Sequence, residues 1–179
     1  MIEFVKCETI SDWKKVKHLY KNAFPKEERK PLWLVEMKQR TGETDVWMIE
    51  EDGEFSGLAI TVNEFDMILL DYFAVSEEKR CNGLGGKALQ GLQKMYDGKR
   101  FFLEIECQDE EAENAEERVR RKAFYLRNGM SEIGVKVSLF KVDMELLGYK
   151  CELSYEEYYS LYDTCYGKRI ENMIYELTK

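Results

Sequence analysis

The stretch DMILLDYFAVSEEKRCNGLGGKAL, residues 66–89, decides how this chain is read. It begins as an apolar strand, passes through a short charged turn, and ends with Arg80-Cys81-Asn82-Gly83-Leu84-Gly85-Gly86 opening a helix. A glycine-rich turn feeding a helix is a way to hold a pyrophosphate. Without a Cβ, Gly83, Gly85 and Gly86 let the backbone come close to an anion and adopt positive φ. The unpaired N–H groups of the first helical turn then point at the phosphates, at the positive end of the helix dipole. Arg80 adds a fixed positive charge at the rim. The stretch announces a phosphate-bearing cofactor.

Three phosphate-binding patterns compete for the turn. A P-loop requires Gly-x-x-x-x-Gly-Lys-[Ser/Thr], and here Gly86-Lys87 is followed by Ala88, which has no hydroxyl for Mg²⁺. The dinucleotide fingerprint Gly-x-Gly-x-x-Gly/Ala is formally met by Gly83, Gly85 and Ala88, with Glu104 about 20 residues on. That fingerprint should follow its strand directly and open the first βαβ unit. Here Ser76 to Asn82 intervene and the turn sits mid-chain, so a nicotinamide-dependent oxidoreductase stands only as an alternative. The third pattern, Arg80-x-x-Gly83-x-Gly85, comes just after Asp71-Tyr72-Phe73-Ala74-Val75. It resembles the acyl-CoA-binding motif Gln/Arg-x-x-Gly-x-Gly/Ala of the GNAT family of N-acetyltransferases. A second block, Arg121-Lys122-Ala123-Phe124-Tyr125-Leu126-Arg127-Asn128-Gly129-Met130, is similar to the family's Phe-Tyr…Gly-Phe segment, with Met130 where Phe is usual. With the strands around them, the two motifs carry the resemblance over most of residues 44–142.

Bulk properties fit a compact intracellular enzyme. A chain of 179 residues is by default one domain, large enough to bury a real core. Its 44% hydrophobic and 13% aromatic content argues against disorder. No apolar run approaches membrane-spanning length and the N-terminus has no signal-peptide core, so no membrane partner is expected. Five cysteines without Cys-x-x-Cys spacing read as free thiols of a reducing compartment, the cytoplasm by default. The net charge of −8 argues against a nucleic-acid partner, which would want a basic face. It serves solubility first and is compatible with a cationic amine acceptor.

Residues 2–7 alternate apolar and polar and read as a strand. Ser11 is placed to cap a helix over 12–23, striped by Trp13, Val16, Leu19, Tyr20 and Ala23. A charged turn between Pro25 and Pro31 leads to a helix over 31–40 stopped by Gly42. Strands over 45–51 and 55–63 flank an Asp52-Gly53 hairpin turn. The strand 66–75 leads through the glycine turn to a helix over 84–97, with Leu84, Ala88, Leu92 and Met95 on one face. Residues 101–107 are a strand, 110–127 largely a helix, and 130–136 and 138–145 two further strands. The tail from Gly148 is tyrosine-rich and helical in pattern, with Ser154 and Glu157 as a capping box and Gly167 as a break.

The pattern is α+β, a mixed and mostly antiparallel central sheet flanked by helices. It predicts one domain over 1–179, with its core over about 1–145 and a C-terminal helical extension over about 148–179. Strands 66–75 and 101–107 form a central parallel pair. The resemblance implies the GNAT (acyl-CoA N-acyltransferase) fold, in which those two strands splay apart at the cofactor site and admit the pantetheine arm.

Acetyl transfer from a thioester to an amine requires that the amine lose a proton, that the oxyanion be stabilised and that the leaving thiolate be protonated. Tyr125 is the candidate acid. It lies about 200° around the helix from Ala123, off the Val119/Ala123/Leu126 stripe expected to face the core. The resemblance assigns it to the CoA sulfur; the alternative is a half-buried packing tyrosine. His18 is the one histidine and sits in a helix near the N-terminus, so carboxylates remain for the base. The two-residue strand period puts Phe102, Glu104 and Glu106 on one face. A buried carboxylate needs a partner and binds its proton more tightly, which suits a base acting directly or through water. The structural alternatives are that this face reaches solvent, or that the pair contacts Arg120 or Arg121. Glu104 stands ahead of Glu106, with Asp71, Glu27 and Glu28 as further candidates.

The resemblance further implies that a backbone N–H of Phe73-Ala74-Val75 stabilises the oxyanion, and that this strand pairs with the pantetheine amides. Arg80, Cys81, Asn82, Gly83, Leu84, Gly85 and Gly86 would cradle acetyl-CoA, with Arg127 and Lys87 either reaching its outer phosphate or solvated. Cys81 reads as a bystander, since the family transfers the acetyl group directly. Cysteine, histidine and carboxylate spacings carry no metal-site signature. Tyr155, Tyr158, Tyr159, Tyr162 and Tyr166 fall near helical spacing and read as packing or a homodimer contact, ahead of an aromatic wall for a cation. The expected activity is acetyl-CoA-dependent N-acetylation of a primary amine, on a small molecule or a peptide. A CoA-binding regulatory module without turnover is the alternative from another class.

Overall fold

The computed structural model describes residues 1–166 and 173–177, without the side chains of Glu27 and Tyr166. Two compact units share the chain, one formed by 1–63 with 70–95, the other by 64–69 with the chain from 96 on.

The first unit holds β1 (Ile2–Lys6), α1 (Ile10–Ala23), α2 (Leu32–Thr41), β2 (Thr44–Glu51), β3 (Glu54–Glu64), the end of β4 (Met67–Val75) and α3 (Leu84–Met95). Its strands follow the order β1-β2-β3-β4. Helix α1 starts at Thr9, not at Ser11. The Asp12 N–H donates to Thr9 Oγ1 (3.2 Å) and the Thr9 N–H to Asp12 Oδ2 (2.9 Å). Threonine wins because it has an acidic residue three positions on, which closes the reciprocal box. Asp52 and Gly53, at φ 54° and 81°, make the expected hairpin turn. The core gathers Val16, Leu19 and Tyr20 of α1, Val35 of α2, and Val46, Met48, Leu58, Ile60, Tyr72 and Ala74 of the sheet. Helix α3 buries Leu84, Ala88, Leu89 and Leu92, whereas Met95, expected on that face, is 39% exposed. It passes so close to β1 that a Cβ on Gly91 would come within 2.6 Å of the Phe4 ring.

The second unit has β5 (Arg100–Glu106), α4 (Ala115–Arg127), β6 (Ser131–Leu139), β7 (Val142–Tyr149), α5 (Tyr155–Tyr166) and β8 (Ile174–Glu176). Its strand order is β4-β5-β7-β6-β8. The parallel ladder joins Met67, Ile68 and Leu69 to Arg100, Phe101 and Phe102. The β5–β7, β6–β7 and β6–β8 pairs are antiparallel. Three features differ from the sequence reading. Helix α4 begins at Ala115, because the Asp109 carboxylate takes the Glu111 N–H (3.0 Å) and holds a turn ahead of it. The β6–β7 turn falls at Phe140 and Lys141, both left-handed at φ 50° and 72°, where no glycine marks it. Strand β8 was not expected, and Gly148 continues β7 instead of ending the core. Gly167 lies outside the described residues. Among the described residues, no helix is long and apolar enough to cross a membrane.

Candidate active site

Strand β4 ends at Val75, and a short 3-10 turn over Glu77–Lys79 carries the chain to Arg80. The strand therefore does not run straight into the helix, as a dinucleotide turn would. Arg80 Nε donates to the Val75 carbonyl (3.3 Å) and folds the turn back onto the strand end. The backbone reverses through two left-handed residues, Cys81 at φ 67° and Gly83 at φ 73°. Gly85 and Gly86, expected to share the positive φ, are helical residues in the first turn of α3.

The Lys87 N–H donates to Gly83 O (3.2 Å) and opens the intrahelical ladder. The N–H groups of Leu84, Gly85 and Gly86 precede that ladder, at the positive end of a 12-residue helix. Leu84 is buried and anchors the turn, while Arg80, Cys81, Asn82 and Gly83 are exposed. A Cβ built on Gly83 meets nothing within 4 Å, so there is open space beside the turn. Backbone donors, a guanidinium and room for an anion together fit the pyrophosphate of acetyl-CoA. In the strand before, Phe73 and Val75 are half-buried and Ala74 is buried. Lys87 and Arg127 are both exposed.

Of the further carboxylate candidates in the first unit, Asp71 is held in an ion pair. Lys30 Nζ donates to both Asp71 oxygens (2.7 and 2.8 Å). The Lys30 N–H donates to Tyr72 Oη (3.0 Å), which donates to the Glu28 carbonyl (2.6 Å). The loop between the prolines is thereby strapped to β4, and what Glu28 offers β4 is its main-chain oxygen. The Glu27 side chain lies outside the described residues. His18 is exposed, its Nε2 3.1 Å from the Asn22 amide.

In the second unit, Phe102, Glu104 and Glu106 do share one face of β5, Phe102 and Glu104 meeting α5 and Glu106 meeting α4. The Tyr158 ring stands edge-on to Phe102 at 6.5 Å. The hydroxyls of Tyr158 and Tyr162 both donate to Glu104 Oε1, each at 2.8 Å. Glu106 is bracketed by Arg118 (2.9 Å) and Arg121 (3.0 Å) and accepts from the Asn114 amide (3.2 Å). The structural alternative for the pair is thus realised at Glu106. Of the tyrosine stripe, Tyr158 and Tyr162 are fully buried, Tyr155 and Tyr159 are half-buried, and the Tyr166 side chain lies outside the described residues.

Helix α4 turns a different face to the sheet than its apolar residues suggest. Val119 is 59% exposed and Leu126 40%, so the stripe expected in the core faces solvent. The helix docks through ions: Arg118 and Arg121 on Glu106, and Lys122 on Glu145 (2.8 Å) and Glu132 (2.6 Å). Carboxylates on β5 and β7 select that charged face. Tyr125, three residues after Lys122 and four after Arg121, falls on it too. Its ring is half-buried and edge-on to Phe124 at 5.2 Å. Burial pushes the phenol up to about 12, against the downward pull of Arg121. Among the described residues no hydrogen-bond partner meets its hydroxyl. The Tyr125 phenol therefore keeps its proton throughout the pH range in which amines react.

Sequence reasoning missed the phenol donors of Glu104 and the guanidinium of Arg118. The signal for the first was a tyrosine pair at i, i+4 in one helix and a carboxylate among apolar neighbours in the strand.

Comparison with known proteins converges on one family. The model of the Acetyltransferase (GNAT) family matches residues 13–130. No protein of curated function matches the sequence. Among solved structures, the chain is similar to an acetyltransferase assigned to that family from Bacteroides thetaiotaomicron. They share 22% identity at a TM-score of 0.77, over 94% of this chain and 99% of that one. It is also similar to the ribosomal-protein-S18-alanine N-acetyltransferase of Escherichia coli, at 20% identity and a TM-score of 0.60, over 87% and 97% of the two chains. A Bacillus subtilis acetyltransferase in complex with CoA gives 13% identity and a TM-score of 0.60, over 86% and 98%.

Proposed function

The chain belongs to the GNAT acetyltransferase family, and from that premise we propose that it transfers an acetyl group from acetyl-CoA directly to a primary amine. The observation that carries the reading is the exposed turn at Cys81 and Gly83, which sets the first N–H groups of α3 toward open space. In this reading Arg80 to Gly86 hold the pyrophosphate, and the main chain of Phe73, Ala74 and Val75 serves the pantetheine amides and the oxyanion. Acetyl-CoA supplies the activated acyl group. Glu104 takes the proton of the acceptor ammonium, directly or through water, with Glu106 as the second candidate. Tyr125 gives its proton to the sulfur as the C–S bond breaks and the C–N bond forms.

Both units act as one domain over residues 1–179, since the family match at 13–130 runs through each of them. We place the activity in the cytoplasm, in keeping with five cysteines that are all thiols. The acceptor is a small-molecule or peptide amine. The Escherichia coli neighbour is named for a protein alanine, and a net charge of −8 suits any cationic amine.

The test is thermal unfolding with acetyl-CoA, CoA and NAD, followed by CoA release with a panel of primary amines and N-terminal peptides. A ligand of the native state raises the midpoint by mass action. A shift with acetyl-CoA, none with NAD, and CoA release with one amine class is the expected result. Binding without release by any amine would leave a CoA-binding module, and a shift with NAD alone would overturn the cofactor.

A further inference from the structure

We propose that Tyr158 and Tyr162 are positioning residues for Glu104, which makes helix α5 part of the acetyl-transfer machinery. The inference rests on the reading of Glu104 as the base.

Two hydroxyls four residues apart on α5 converge on one atom, Glu104 Oε1, at 2.8 Å each. Their rings are 0% and 1% exposed, so phenylalanine would fill either position equally well if packing were the only need. The hydroxyls instead carry a cost in burial that only a partner offsets. Two donors on one oxygen restrict the turning of the carboxylate about its last bond.

The helix is itself registered on β5. Glu157 pairs with Arg100 (2.6 Å) at the start of the strand, and the Tyr158 ring meets Phe102. Ser154 and Glu157 close a capping box that fixes where α5 begins (3.0 and 3.3 Å). From Arg100 to Glu104, alternate residues of the strand each meet a side chain of α5. The other charged cluster on that face, Glu106 with Arg118 and Arg121, belongs to α4. Helix α5 lies beyond residues 13–130, the part the family model matches.

The experiment is a double-mutant cycle on the full chain. Tyr158→Phe and Tyr162→Phe are each made alone and in a Glu104→Gln background, and kcat and KM are measured with acetyl-CoA and the best amine of the panel. Each single variant is expected to lower kcat roughly tenfold, the measure of one hydrogen bond to a charged group, with KM for acetyl-CoA within about twofold. In the Glu104→Gln background the same changes are expected to cost nothing further. The ¹³C carboxyl resonance of Glu104, identified by its loss in Glu104→Gln, should move in both phenylalanine variants. Tyr155→Phe, whose hydroxyl donates to the Ile174 carbonyl (3.3 Å), is the control for a general loosening of α5. Losses that multiply in the Glu104→Gln background, or an unchanged kcat, overturn the role. A wild-type chain that turns over no amine sinks the acetyl-transfer reading, and the role with it.

Discussion

The turn before α3 and the inner face of β5 are built in opposite ways. The turn is made of main chain and is complete within seven consecutive residues, Arg80 to Gly86. Its donors are peptide N–H groups, aimed by two left-handed residues and by the start of a helix. The face of β5 is made of side chains, and its parts come from far along the chain: Tyr158 and Tyr162 lie 54 and 58 residues from Glu104. Within that face the construction differs again. Glu104 receives neutral phenols, which orient a carboxylate without adding charge. Glu106 receives two guanidinium groups, which orient it through ion pairs. Backbone sites tolerate changes of side chain and fail on changes of φ; side-chain sites do the reverse.

The sharpest way to break this comparison is Glu104→Gln. It keeps the shape and the phenol contacts but removes the base, and turnover should fall about 10² to 10⁴-fold with little change in stability. Tyr125→Phe comes next, with a loss of roughly ten- to a hundredfold in kcat if its proton reaches the leaving sulfur. Both are read as CoA release at saturating acetyl-CoA. Glu106→Gln tests the other half of the face. It strips the partner from Arg118 and Arg121, so it should act on stability, by about 2 kcal/mol after allowing for the exposure of Arg121. That corresponds to a fall of roughly 4–8 °C in the unfolding midpoint. A deeper loss of kcat in Glu106→Gln than in Glu104→Gln would exchange the two roles.

This division also explains what the sequence could tell. The turn was legible because its determinants are adjacent: glycine where φ is positive, an arginine at the rim, a helix behind. Even there two details escaped: Cys81 takes a left-handed position that glycine usually fills, and Gly85 and Gly86 are helical. The face of β5 was half legible. The two-residue period correctly put Phe102, Glu104 and Glu106 together, but periodicity says nothing of what a face meets. Helix α4 shows the limit most clearly. Its apolar residues Val119 and Leu126 suggested one orientation, and the carboxylates of Glu106 and Glu145 imposed another. A rule built on burial of apolar area cannot foresee docking by ion pairs. The Phe140-Lys141 turn failed for a related reason, because the hairpin closes on residues with no turn preference of their own.

Gly83→Ala sharpens the comparison from the backbone side. A methyl group there meets no neighbour, so the only penalty is a φ of 73°. The strain is about 1–2 kcal/mol. If the turn relaxes to relieve it, acetyl-CoA binding weakens roughly five- to thirtyfold by titration, with kcat at saturation unchanged. A variant that binds as tightly as wild type would show that the left-handed turn is not what holds the cofactor.

Alkaline unfolding separates the two regions by slope. Burial raises the Tyr125 phenol from 10.0 to about 12. Below pH 10 the phenol is protonated whether the chain is folded or not, so its contribution to stability is fully present. Between pH 10 and 12 the unfolded chain gives up the proton first, and stability falls by at most about 1.4 kcal/mol per pH unit for this one group. Tyr20 and Tyr72 are raised by burial as well and steepen the same limb. Tyr125→Phe removes one of these protons, so its stability should decline less steeply than that of wild type across that window. Gly83→Ala removes none and should run parallel to wild type at a lower level. If Tyr125→Phe runs parallel instead, the folded chain does not hold the Tyr125 proton more tightly than the unfolded one, and the burial of its hydroxyl is refuted.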